Sequence, residues 1–219
     1  MNSIQKIEAA AAPCNLENNL LIIVGPTDYG KSGLAQKIVQ QSPEHYIQLE
    51  KSFIPPSVSA DDLAKNYFCA TEPDRNWYRR GYLLSALDKF FVDPQHKAAL
   101  LTIDDRTFFS IKTEAWERLL MMGLDRLMIV YLRKPGAGPT PYEKTVECRV
   151  QLFYKIMRNS VVKLKYEIRP LVIEKTGTGL AAGIGTGTSA ASNDGPYDEA
   201  ALELMSLAGD YFWEPAPRF

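Results

Sequence analysis

Two histidines and three cysteines are all the soft metal-binding chemistry in this 219-residue chain. Cys14, Cys69 and Cys148 are too few and too widely spaced for a disulfide framework or a zinc cluster. With only His45 and His96 beside them, no metal site is expected other than one shared with a bound nucleotide. The chain also lacks a charge excess, with a formal net charge of −1, so no global basic field advertises nucleic acid and any such contact is confined to a local patch. No apolar run is long enough to cross a bilayer, so no membrane segment is expected. Ala9 to Ala12 sit beside Glu8 without the apolar core of a signal peptide, and the expected setting is soluble, reducing and intracellular. A hydrophobic content of 46% with 23% charged residues suits a soluble globular protein, long enough for one α/β domain with a small appendage.

What the chain does have is the run Leu20-Leu21-Ile22-Ile23-Val24, followed by Gly25-Pro26-Thr27-Asp28-Tyr29-Gly30-Lys31-Ser32 and then a helix-compatible stretch from Gly33 to Gln41. A buried strand, a G-x-x-x-x-G-K-S loop and a helix are the context that a phosphate-binding loop needs. Gly25 and Gly30 let the backbone turn so that N–H groups point inward at phosphate oxygens, and the helix dipole adds to that field. In this reading Gly25 to Gly33 cradle ATP, Lys31 reaches its β- and γ-phosphates, and Ser32 supplies a hydroxyl to Mg²⁺. The alternative is an ordinary turn with a solvated Lys31.

Residues 1–17 read as a tail, 18–174 as the nucleotide-binding domain, 175–196 as a Gly/Ala/Thr/Ser-rich linker or loop, and 197–219 as a C-terminal helix. Strands are predicted at Leu20–Val24, Tyr46–Leu49, Ala99–Ile103 and Leu127–Leu132, with a fifth beginning near Val146. Helices are predicted at Leu83–Phe91 and Thr113–Met122, and the alternation of strands and helices predicts a mostly parallel sheet flanked by helices. Ile54-Pro55-Pro56-Ser57 reads as a break followed by a polar stretch. From Val146 to Ile168 a period-two pattern about Arg158-Asn159-Ser160 predicts a β-hairpin, although Val146, Val150, Phe153 and Met157 also share a helical face. Asn193-Asp194 before Pro196 starts a last helix, whose stripe of Leu204, Leu207, Ala208, Tyr211 and Phe212 suits core packing or docking on a neighbouring subunit.

Leu100-Leu101-Thr102-Ile103-Asp104-Asp105 is an apolar strand ending in two carboxylates, and open α/β sheets place ligands at the carboxyl ends of their strands. Asp104 is the candidate Mg²⁺ holder and Asp105 the candidate general base, set against the reading of both as solvated turn residues. Arg133, closing the Tyr131-Leu132-Arg133 strand end, is a candidate γ-phosphate sensor or a surface charge. Arg149 and Arg158 are candidate arginine fingers or outer-face charges. Arg75, Trp77, Tyr78, Arg79 and Arg80 mix cations with aromatics, which suits either nucleic-acid contact or a solvated face with one buried aromatic.

Across roughly residues 20–157 these features resemble the viral genome-packaging ATPases, especially the adenovirus type, and more loosely the FtsK/HerA motors. The shared points are Ile23 through Ser32, Pro43-Glu44 ahead of the strand leading to Ile54-Pro55-Pro56-Ser57, and Asp93-Pro94 ahead of the strand ending in Asp104-Asp105. The resemblance implies an ATP-hydrolysing homo-oligomeric ring that translocates double-stranded DNA, which is the expected function, with a kinase as the alternative. A viral source would place it in the host-cell interior and at the packaging vertex. Other residues resemble the deoxynucleoside kinases: Glu72-Pro73 with Trp77, Asp105-Arg106-Thr107 with Ser110, and Tyr131-Leu132-Arg133. That likeness implies transfer of the ATP γ-phosphate to a nucleoside or nucleotide. Glu72 or Asp105 would then deprotonate the acceptor hydroxyl, and Arg149 and Arg158 would clamp phosphate. The Gly25-Pro26-Thr27-Asp28 loop is also similar to that of polynucleotide kinases.

Overall fold

A computed structural model of the chain describes residues 17–27, 29–75, 77–92, 97–133, 144, 148, 165–172 and 195–213. The first strand, β1 (Asn18–Gly25), is buried along almost its whole length on both sides. Leu20, Ile22 and Val24 enter one core and Leu21 and Ile23 the other, which is why its apolar residues run on without alternating. Five strands form an all-parallel sheet: β1, β2 (Tyr46–Gln48), β6 (Ala98–Asp104), β7 (Leu124–Arg133) and β8 (Lys165–Val172), in the order β2-β6-β1-β7-β8.

Helix α1 (Lys31–Gln41) carries the chain from β1 toward β2, while α4 (Asp105–Ser110) and α5 (Thr113–Met121) carry it from β6 back across β1 to β7. Right-handed crossovers running in opposite directions must lie on opposite faces of the sheet. The two cores have that composition: Leu34, Ala35 and Ile38 of α1 pack on one face, and Phe108, Ala115, Trp116 and Leu119 of α4 and α5 on the other. The C-terminal helix α6 (Gly195–Trp213) shares the α1 face, burying Ala201, Leu204, Ala208 and Phe212 at helical spacing. Its apolar stripe is therefore packed within this chain, and small alanines let the helix approach the sheet closely.

The polar stretch after Pro55 is more ordered than its composition suggests. It holds α2 (Ala60–Asn66), capped by Ser59, whose hydroxyl accepts from the Asp62 amide, and most of a second, antiparallel sheet of β3 (Ser52–Ile54), β5 (Arg79–Leu83) and β4 (Tyr67–Ala70). Gly81 lies where these strands crowd: a Cβ there would sit 2.4 Å from the Cys69 carbonyl oxygen and 2.9 Å from Ile54 Cδ1. Phe68, Cys69 and Tyr82 join this small sheet to the core on the α4–α5 face, together with α3 (Leu84–Val92).

The expected hairpin is corrected. Residues 165–172 form a strand, but it pairs in parallel with β7 at the sheet edge, where Pro170 is tolerated because an edge strand has one unpaired side. The fifth strand thus begins at Lys165 and not near Val146. Of the expected first arm, Cys148 is described and is helical, as is Lys144 one turn before it, in line with the competing helical face; the remaining positions, Arg149 and Arg158 among them, lie outside the described residues. Alternation along a strand reports its two faces and says nothing about the direction of its neighbour. Asp28, Asp93-Pro94 and most of the Gly/Ala/Thr/Ser-rich segment also lie outside the described residues. No helix among the described residues is long and apolar enough to cross a membrane.

Candidate functional site

Adjacent parallel strands whose crossovers leave on opposite faces open a crevice at their carboxyl ends, the usual ligand position in open α/β sheets. Here those strands are β1 and β6, and their last paired residues are Gly25 and Asp104. The fold therefore sets the glycine-rich loop and the strand-end carboxylate side by side, one strand spacing of about 4.8 Å apart.

On the loop side, Gly30 precedes α1 with φ 75° and ψ 12°, the left-handed conformation that glycine adopts without steric cost, and its carbonyl accepts the first helical bond from the Leu34 amide. Lys31, Leu34, Ala35 and Ile38 share the buried face of α1, so Lys31 points at the sheet and is only 8% exposed. Its ammonium donates to the Gly25 carbonyl (2.8 Å) and the Pro26 carbonyl (2.5 Å). Lys31 is not a solvated turn residue; a buried ammonium needs such partners to offset its lost hydration. Ser32 and Gly33 are exposed in the first turn of α1, Thr27 is exposed, and Tyr29 is half-buried against the α1-face core.

Across the crevice, Asp104 ends β6 and caps α4. Its Oδ1 accepts from the Thr107 amide (2.8 Å) and its Oδ2 from the Thr107 hydroxyl (2.7 Å). Each oxygen keeps a further lone pair, so the cap fixes the carboxylate's direction without exhausting it as a ligand. Asp105 is half-buried in the first turn of α4. Arg106 reaches out to Glu72 in the loop after β4, with Nη1 and Oε2 3.8 Å apart and both side chains largely exposed. The Glu72 loop of the small sheet is thereby brought beside Asp105 and Arg106. Arg133 closes β7 opposite Val172.

Several residues here left no sequence signal. Beyond Gln48, β2 parts from β6 after a last bond from the Leu49 amide to the Leu100 carbonyl. The Tyr82 hydroxyl takes over the open edge: it accepts from the Thr102 amide (2.8 Å) and donates to the Thr102 carbonyl (3.1 Å). Lys51, between β2 and β3, lays its ammonium 5.7 Å from the centre of the Tyr82 ring. Burial pulls its pKa below the usual lysine value, with Asp104 opposing the fall and Arg80 adding to it. The Cys69 thiol is pushed up to about 12 by burial, so it stays protonated.

The aromatic cluster departs from the expected solvated face with one buried ring. Trp77 is 71% exposed at φ 64°, Tyr78 is 40% exposed and stacks at 4.5 Å on exposed Phe53, and the turn closes through the Asp74 and Tyr78 backbones.

The donors that a nucleotide-bound Mg²⁺ would find are Ser32 and Asp104. Magnesium typically takes one or two protein groups and completes its shell with phosphate and water, so this sparse set fits, and the described residues contain no cluster of three or more His, Cys, Asp or Glu suited to a protein-only metal site. No known family model and no curated protein sequence matches this chain.

Proposed function

We propose that this protein is an ATP-dependent phosphotransferase whose acceptor is a nucleoside or nucleotide. The observation that supports this reading is the ion pair of Glu72 with Arg106, 3.8 Å apart, which brings an acid of the small sheet and a base of α4 together next to Asp105. A hydrolytic motor needs only to hold a water molecule, whereas a kinase also needs groups that hold its acceptor.

In this reading the loop amides at the start of α1 hold the phosphates of ATP. Lys31 leaves the Gly25 and Pro26 carbonyls to pair with the β- and γ-phosphates, and bound Mg²⁺, held through Ser32 and Asp104, would neutralise charge between them. The acceptor oxygen attacks the γ-phosphorus in line, the bond from that phosphorus to the β–γ bridging oxygen breaks, and ADP leaves with the electron pair. With a hydroxyl acceptor, Asp105 or Glu72 takes the proton; a phosphate acceptor, whose oxygen is already ionised, needs no such base and is held by cations. Arg106 would stabilise the transferring group. The DNA-translocating motor uses the same loop and carboxylates, so the two readings separate by product and not by loss of the loop.

The test is transfer of the γ-phosphate of labelled ATP, by the full chain, to a panel of nucleosides, nucleoside monophosphates and 5′-hydroxyl oligonucleotides, with phosphate release measured with and without duplex DNA. Labelled acceptor indifferent to DNA is the expected result, and Lys31→Ala should lower it by about 100-fold or more while leaving the melting temperature near wild type. Phosphate release stimulated by duplex DNA, with no labelled acceptor, would refute the kinase in favour of the motor.

A further inference from the structure

Resting on the phosphotransferase reading, Lys51 indicates which acceptor the protein takes. This lysine lies where the chain leaves the central sheet for the small one, on the opposite face from α1 and its phosphate loop. Its ammonium is held at the face of Tyr82, and the Tyr82 hydroxyl is bound to Thr102, two residues before Asp104. The cation is thus tied to the β2-side edge of β6, near that strand's carboxyl end. Among the described residues no carboxylate lies within ion-pairing distance of it. Asp104 attracts it from farther away but turns both oxygens to Thr107. The protonated Cys69 thiol offers no charge, and the exposed Arg80 guanidinium is close enough to repel it. A half-buried ammonium beside a second cation, without a paired anion, is unfavourable in the empty crevice and becomes favourable when an anion enters.

We propose that Lys51, assisted by Arg80, holds the phosphate of the acceptor, so that the acceptor is a nucleoside monophosphate and not an uncharged nucleoside. The products are then ADP and a nucleoside diphosphate. The attacking oxygen belongs to the bound phosphate and is already anionic near pH 7, because the second phosphate ionisation falls near pH 6, about one unit lower. No general base is required, and Glu72 acts by orienting Arg106 and not by taking a proton.

Isothermal titration of the full chain tests this without depending on turnover. The probes are the common ribo- and deoxyribonucleoside 5′-monophosphates, their matching nucleosides, and ATP. At least one monophosphate should bind about tenfold or more tightly than its nucleoside, as expected for a charge-assisted contact in a partly desolvated site. Lys51→Met should remove that difference while changing nucleoside and ATP affinity less than about twofold, and Lys51→Arg should restore most of it. Should Lys51→Met fail to fold, Arg80→Gln at an exposed position serves in its place, with a smaller loss in the same direction. Equal affinity for nucleoside and monophosphate in the wild type, or a preference that survives Lys51→Met, overturns the assignment. A loss of ATP affinity in Lys51→Met would overturn it too, by placing the lysine on the donor side. Monophosphate binding through Lys51 without γ-phosphate transfer would sink the phosphotransferase reading alone. Transfer to a nucleoside with Lys51→Met silent would sink this assignment alone.

Discussion

Removing one oxygen atom, in Tyr82→Phe, is expected to loosen the sheet beside the candidate site. In β6 the amides and carbonyls of residues 98, 100 and 102 face the β2 side; β2 and its extension serve the first two, through the bonds Ala98 N–H to the His45 carbonyl and Leu49 N–H to the Leu100 carbonyl. At Thr102 the strand has gone, and the Tyr82 hydroxyl serves both backbone groups at 2.8 and 3.1 Å, with the Thr102 side-chain oxygen 3.3 Å away. Thr102 is 3% exposed and Tyr82 2%, so water does not replace the missing oxygen. Each orphaned buried group costs about 1–3 kcal/mol, and the Thr102 hydroxyl can turn to relieve part of the loss, which gives about 2–4 kcal/mol in total. For a chain of this length that is a fall of about 4–16 °C in melting temperature. Phenylalanine keeps the ring under Lys51, which separates this effect from any loss at the cation. Urea unfolding gives the stability, and native-state hydrogen exchange gives the Thr102 amide directly. A loss below about 0.5 kcal/mol with an unchanged denaturant slope, or a Thr102 amide that exchanges no faster than in the wild type, would refute the reasoning.

Gly81→Ala should cost about 3 kcal/mol or more, because the new methyl meets the Cys69 carbonyl, which is fixed backbone, and not merely a side chain that can swing away; an unfolding midpoint near wild type would contradict that packing. Arg126→Met should cost about 1–3 kcal/mol and speed proteolysis at the end of α6, since Arg126 pairs with Glu17 and donates to the Tyr211 carbonyl, leaving both without it. Alkaline stability should fall from pH about 9 to about 12. Burial raises the Cys69 thiol from 9.0 and the Tyr82 phenol from 10.0, each to about 12, and raises Tyr46 above 10.0, so the unfolded chain releases these protons first and the advantage of the folded state is lost across that window. Lys51, lowered from 10.5, works in the opposite direction as one group against three. Urea midpoints that stay level or rise up to pH about 11 would contradict this balance, and Cys69→Ala should delay the onset toward pH about 10.

The donor half of the candidate site was legible because its parts are neighbours in the chain. Gly25 to Ser32 form one loop, and the strand and helix around it announce themselves by a run of residues buried on both faces and by the buried stripe at 31, 34, 35 and 38. The same reasoning located β6, β7, α3 and α5 to within a few residues. Strand order was not legible, since an apolar strand buried on both faces carries no mark of its neighbour, and the pairing of Gly25 with Asp104 came from the fold alone. The small sheet was missed for a different reason. Its strands are short, and Phe53 and Arg80, paired across β3 and β5, both face outward, so one face shows neither an apolar run nor a polar one. Lys51 meets Tyr82, and Glu72 meets Arg106, only when that sheet forms. A local motif therefore identifies what a loop can hold, and only the long-range pairing identifies what faces it. That is why a motor and a kinase can use the same loop, and why the two are to be told apart by their products.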